Sequence, residues 1–166
     1  MIQNLTYKYY HKQECKSVYI VLHGGGKEGI ETNFISNIFN ALIVDTQCSV
    51  FAFNFPYCSR GEEVSSGPEL KEEINTLKKV LDFLKKEGYT KINIVAKSLG
   101  GIVASHWIEQ TSPKDIKLYI LGYVLGSIKT NVLQDILYGV IQGEYDRFGN
   151  AMAVVEELKK NKYYLC

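Results

Sequence analysis

The chain lacks a charge excess of either sign. Its 19 Lys and Arg residues against 18 Asp and Glu leave a formal charge of +1 over 166 residues. That excludes the broad electrostatic footprint of a nucleic-acid or anionic-membrane binder, though a local patch stays open. A long apolar run is also lacking. The longest, residues 118–128, is broken by Gly122, Gly126 and Ser127 and is too short for a membrane span of about 20 residues. The first residues have no basic flank ahead of an apolar core, so no secretory signal is expected and the cytoplasm is the default compartment. Cysteine is sparse: Cys15, Cys48, Cys58 and Cys166 stand far apart with no C-x-x-C pair. This argues against a zinc site, a thioredoxin motif and a disulfide framework, and all four are expected as free thiols. Internal repeats and low-complexity tracts are absent. What remains, 46% hydrophobic and 22% charged residues, is the composition of a folded protein, and the length suits a single domain over 1–166.

Apolar strand-like runs alternate with amphipathic helical stretches, the pattern of a doubly wound, mostly parallel sheet flanked by helices. Residues 5–10 read as an edge strand and 17–22 as a buried one ended by Gly24, Gly25 and Gly26. A helix follows from about Thr32, with Phe34, Ile35, Ile38, Phe39 and Leu42 on one face. Residues 49–55 form the next strand, stopped by Pro56, and a polar loop is expected over 57–67. Ser66, Pro68 and Glu69 have the spacing of a helix start. Leu70, Ile74, Leu77, Leu81 and Leu84 then form a helical stripe, with Lys78, Lys79, Lys85 and Lys86 on its solvated side. Strands are expected at 91–96, 117–124 and 137–142, with at most one short helix, 131–137, between the last two. A helix over 150–160 should turn Met152, Val155 and Leu158 inward, and a last strand begins at 163–166.

Three segments could carry chemistry. In Ala96-Lys97-Ser98-Leu99-Gly100-Gly101 a serine stands between strand and helix, with small residues two before and two after. A serine lifted above a sheet must sit on a tight, strained turn whose flanks tolerate no bulk. The helix N-terminus behind it favours negative charge. The competing role for Ser98 is simple helix capping. In His23-Gly24-Gly25-Gly26 the glycines let backbone N–H groups approach a developing oxyanion. The loop has neither Walker nor Rossmann spacing, so phosphate cradling is disfavoured. In Gln142-Gly143-Glu144-Tyr145-Asp146 a strand ends and an acid follows. Asp146 stands after Ser98, as the chain order serine, acid, histidine requires, and Glu144 competes with it.

Together these pieces, with Phe53-Asn54-Phe55-Pro56-Tyr57, resemble the α/β-hydrolase superfamily, in particular its small cap-less members related to dienelactone hydrolases. The resemblance runs from about Ser17 to the C-terminus. It implies Ser98 as nucleophile, Asp146 as triad acid, and an oxyanion hole made by the N–H groups of Gly25 and Leu99. Tyr57 and Arg60, with Cys58 and the loop around Ser127, are expected to contact a small acyl substrate in a cleft without a lid. No metal and no cofactor is implied, nor a nucleic-acid or membrane partner; the oligomeric state is left open. The family's general base is a histidine after the final strand. Here the histidines are His11, His23 and His106, none a convincing partner for Ser98. The expectation is therefore a chain cut short at Cys166 or one that has lost its base. Two functions follow: a serine hydrolase of small esters or thioesters working through a Ser98 acyl-enzyme, or a non-catalytic domain of the same fold that binds or scaffolds.

Overall fold

The computed structural model describes residues 2, 4–161 and 163. Six strands form one sheet: β1 (Tyr7–Tyr10), β2 (Ser17–Leu22), β3 (Ser49–Phe53), β4 (Lys91–Lys97), β5 (Ile116–Leu121) and β6 (Leu137–Ile141), in the spatial order β1-β3-β2-β4-β5-β6. β1 pairs antiparallel with β3, and every other pairing is parallel. The expected α/β sheet is thus present, with β1 as its edge. β-branched and aromatic residues fill the central strands because both faces are covered. Val18, Ile20, Leu22, Phe51 and Phe53 turn to one side, and Val21, Val50 and Ala52 to the other.

One helix, α1 (Asn33–Thr46), covers the second face through Ile35 and Phe39. Thr32 caps it, its hydroxyl accepting the Ile35 N–H at 3.4 Å. Phe34 departs from expectation. It is 48% exposed, because the buried stripe is centred on Ile35 and Phe39, four residues apart. The opposite face carries α3 (Lys71–Lys86), α4 (Leu99–Thr111) and α5 (Ala151–Lys160). The expected α3 stripe is buried throughout, and its four lysines are exposed. Each such apolar side chain contributes roughly 1.5–3 kcal/mol before entropy.

Several boundaries differ from the sequence reading. Pro56 does not open a loop; it occupies the first turn of a four-residue helix, α2 (Pro56–Ser59), where a missing N–H costs nothing. α3 starts at Lys71 rather than beside Ser66. Ser66 instead donates its N–H and hydroxyl to the buried carboxylate of Glu73, at 2.9 and 2.5 Å. β5 ends at Leu121, where Gly122 takes φ +71. Between β5 and β6 lies a 3-10 turn, Thr130–Val132, within the bound of at most one short helix there. In α5 Met152 is 70% exposed and Val154 and Leu158 are buried. Asn150 caps the helix through the Ala153 N–H at 2.9 Å, a start that sets Val154 and Leu158, four apart, on the core side. Of the last expected strand, residues 164–166 lie outside the described set, Cys166 among them; Tyr163 is not in a strand. Cys15, Cys48 and Cys58 are free thiols. Among the described residues no helix is long and apolar enough to cross a membrane.

Because β2 to β6 run parallel, their C-terminal ends share one edge. The loops after β2, β4 and β6 meet there, which is where open α/β sheets place their clefts.

Candidate active site

Ser98 follows the last residue of β4 and precedes the first of α4. Its backbone has φ 47 and ψ −111, a region that disfavours any side chain and costs of order 1–3 kcal/mol. The turn is held from both sides. The Ser98 N–H donates to the Leu121 carbonyl at 3.0 Å, and its own carbonyl accepts the Gly101 N–H at 2.8 Å. The side chain makes no capping bond, so the capping role is not realised. The small flanks also have a visible cause. A Cβ on Gly100 would come within 2.7 Å of Leu22 Cβ and 2.9 Å of the His23 carbonyl oxygen, so α4 approaches β2 only with glycine there. Ala96, two residues before the serine, is fully buried.

The glycine loop after β2 is braced from beneath. His23 is 1% exposed. Its Nε2 lies 3.0 Å from the Phe55 nitrogen and accepts that N–H, so Nδ1 carries the proton and donates to the Gly24 carbonyl at 2.6 Å. The Tyr57 hydroxyl donates to the same carbonyl at 3.1 Å, and the Cys58 thiol donates to the Gly26 carbonyl at 3.1 Å. With the Gly24 carbonyl drawn inward, the N–H of the same trans peptide, that of Gly25, points the other way. Among the described residues neither the Gly25 nor the Leu99 N–H donates to a protein acceptor. Both are therefore free to meet an anion. Burial, and secondarily the charge of Lys97, pushes the His23 pKa down to about 4, against the pull of the Gly24 bond. The ring is neutral and has no nitrogen to spare.

Ser98 and Asp146 line one cleft of about 740 Å³, together with Phe34, Ile38, Lys97, Arg147 and Phe148. The Asp146 loop is a chain of tight turns. The Asp146 N–H donates to Gly143, and the Gly149 N–H donates to the Asp146 carbonyl. Asp146 Oδ1 accepts the Phe148 N–H at 2.8 Å, which leaves the second oxygen for a donor in the cleft. Glu144, the competing acid, is exposed and does not line the cleft.

Tyr57 and Arg60, expected to contact substrate, are placed elsewhere. Tyr57 is fully buried under the glycine loop, so it holds the loop rather than a ligand. Arg60 is paired with Glu62 and Glu72 at 2.8 and 2.9 Å and does not line the cleft. Cys58 is buried. Ser127 borders a separate depression of about 500 Å³ with Leu99, His106 and Lys129. None of the three histidines lines the Ser98 cleft. His11 Nδ1 lies 2.8 Å from the Tyr89 hydroxyl, just before β4 begins. The seven residues of β4 separate it from Ser98 by on the order of 20 Å. The sequence reading missed Phe34, Lys97 and Arg147. Lys97 and Arg147 flank the serine and the acid in the chain, and that adjacency was the signal available. Among the described residues no group of three or more His, Cys, Asp or Glu is placed to hold a metal ion.

A family model for an alpha/beta hydrolase domain matches residues 15–165. Comparison with curated proteins finds no match. Among solved structures, the chain is similar to a protein of unknown function from Agrobacterium tumefaciens at 18% identity and a TM-score of 0.75, over 94% of this chain and 74% of that one. An alpha/beta serine hydrolase without a lid, from Xanthomonas campestris, aligns at 18% identity and 0.71, over 94% and 73%. An alpha/beta serine hydrolase homologue from Coxiella burnetii aligns at 15% and 0.74, over 94% and 76%. At these identities the likeness is one of fold.

Proposed function

The chain belongs to the alpha/beta hydrolase domain family, and on that premise we propose that it attacks small esters or thioesters through Ser98. The observation that carries this is the backbone of Ser98, held at φ 47 and ψ −111 at the mouth of a cleft that Asp146 also lines. Strain of that kind persists where it positions a side chain for chemistry. Ser98 Oγ adds to the acyl carbonyl. The oxygen that becomes negative faces the N–H groups of Gly25 and Leu99, donors that need no reorganisation. The bond from Oγ to the acyl carbon forms, the bond to the alcohol or thiol breaks, and the serine proton leaves with that group or with solvent. Water then releases the acid. With only a 3-10 turn between β5 and β6, the cleft is open and suits short acyl groups.

No histidine lines the cleft, and this sets the kinetics. Ser98 and water alike lack a base, so both steps are slowed. An activated ester, with its electrophilic carbonyl and a leaving group expelled without an added proton, still acylates the serine, whereas the acyl-enzyme is an ordinary ester that resists water. The acyl-enzyme should therefore accumulate. Mixed with p-nitrophenyl acetate, the protein should release about one equivalent of nitrophenolate in a burst, then turn over slowly. Ser98→Ala should show neither phase. A wild type indistinguishable from Ser98→Ala refutes the proposal. The same missing histidine favours a second reading, a non-catalytic binding domain on this fold, and that null result would select it.

A further inference from the structure

The cleft holds two cations for which the acyl transfer above has no use. Lys97 and Arg147 both line it. Among the described residues neither lies within salt-bridge distance of a carboxylate. Lys97 is half-buried and Arg147 is exposed. A Cβ at Gly24 would lie 3.2 Å from Lys97 Nζ and 3.5 Å from Ser98 Cβ, so the ammonium and the serine flank the same point of the glycine loop. The Phe34 ring lies 5.6 Å from Nζ, within reach of a cation–π contact. The charge reaches His23 beneath the loop, where it opposes protonation. Arg147 is backed by the Phe148 ring at 4.7 Å.

Among the described residues Asp146 is the one carboxylate that lines the cleft with them, and its Oδ1 is bonded to the Phe148 N–H. Two cations against one anion in the lining leave the cleft electropositive. Its walls are apolar and exposed: Phe34, Phe148, Tyr145 and Ile141. A ligand that satisfies both features is an anion on an apolar body.

Resting on the reading of Ser98 as nucleophile, we propose that Lys97 and Arg147 make this cleft selective for esters that carry a carboxylate on an apolar or aromatic acyl group. The carboxylate meets the Lys97 ammonium and the Arg147 guanidinium, the latter suited to a two-pronged contact. The ring lies against Phe34 and Phe148.

Two matched probes test this by binding. Monomethyl terephthalate and methyl 4-carbamoylbenzoate share the ring and the methyl ester and differ in charge. Titrated by NMR into the full chain carrying Ser98→Ala, so that nothing is consumed, the anion should bind at least about fivefold tighter, and added salt should erode the difference. Adding Lys97→Met and Arg147→Met together should abolish the preference, while Lys97→Arg should keep it. A smaller preference, or one that survives in the double substitution, overturns the proposal. If the double substitution does not fold, loss of the preference on adding Lys97→Met alone is required in its place. The readout needs no turnover. A carboxylate preference without Ser98 acylation would refute the hydrolase proposal and leave Lys97 and Arg147 standing as a carboxylate-binding site alone, and acylation without the preference would overturn the selectivity and leave the hydrolase proposal standing.

Discussion

Lowering the pH should unfasten the glycine loop through His23. The neutral imidazole makes two bonds that depend on its tautomer: Nδ1–H to the Gly24 carbonyl at 2.6 Å and Nε2 to the Phe55 N–H at 3.0 Å. A proton on Nε2 would break the second and bury a charge near Lys97. Burial of that charge, and secondarily the Lys97 ammonium, lowers the pKa from 6.5 to about 4 in the folded chain. The unfolded chain takes up its proton near the ordinary value, so between these limits it binds more protons than the native state. Stability from this group is complete above about pH 6.5, declines as pH falls toward 4, and levels off below. A window of that width is worth about 3 kcal/mol, of which about 2 kcal/mol should be lost between pH 7 and pH 5. Urea unfolding at the two pH values measures it, with His23→Gln as the non-titrating control. The wild type should lose about 2 kcal/mol more than the control over this interval. Equal losses, or a His23 ring signal that titrates near 6.5, would refute the argument.

Ser98→Gly should raise stability by about 1 kcal/mol in chemical denaturation, since glycine accepts the strained turn without penalty, while abolishing acylation; a destabilised variant would mean that the turn is not strained. Tyr57→Phe removes one of two donors to the Gly24 carbonyl. It should cost about 1 kcal/mol and slow the acylation burst several-fold, and a burst at the wild-type rate would show that this bond does not aim Gly25. In hydrogen exchange, amides over 152–158 should exchange faster than those over 74–81. α5 buries only Val154 and Leu158 fully, against Ile74, Leu77, Val80, Leu81 and Leu84 in α3. Equal protection would contradict that ranking.

The central strands β2, β3 and β4 were legible because they are largely buried on both faces and read as mostly apolar runs. The Ser98 turn was legible for a steric reason: Ala96 and Gly100 are small where the backbone of α4 meets β2. Side-chain destinations were not. Pro56 reads as a stop in a linear scan, yet it starts α2 and sends Tyr57 under the loop rather than into the cleft. Phe34 and Met152 fit an apolar stripe about as well as their neighbours do. Only the caps at Thr32 and Asn150, which fix each helix's phase against the sheet, decide that both face solvent. Lys97 had no role assigned from the sequence, because the direction of a residue beside a turn at φ 47 cannot be taken from strand alternation. Arg60 has its partners at Glu62 and Glu72, and the second of these meets it only through the packing of α2 beside α3.

The most direct measurement of the central claim is covalent labelling by a fluorophosphonate, which reacts with an activated serine and mimics the tetrahedral intermediate. Intact-mass analysis of the full chain should show one adduct, and peptide mapping should put it on Ser98, with none on Ser98→Ala. No adduct, or an adduct on another residue, would contradict the assignment of Ser98 as nucleophile.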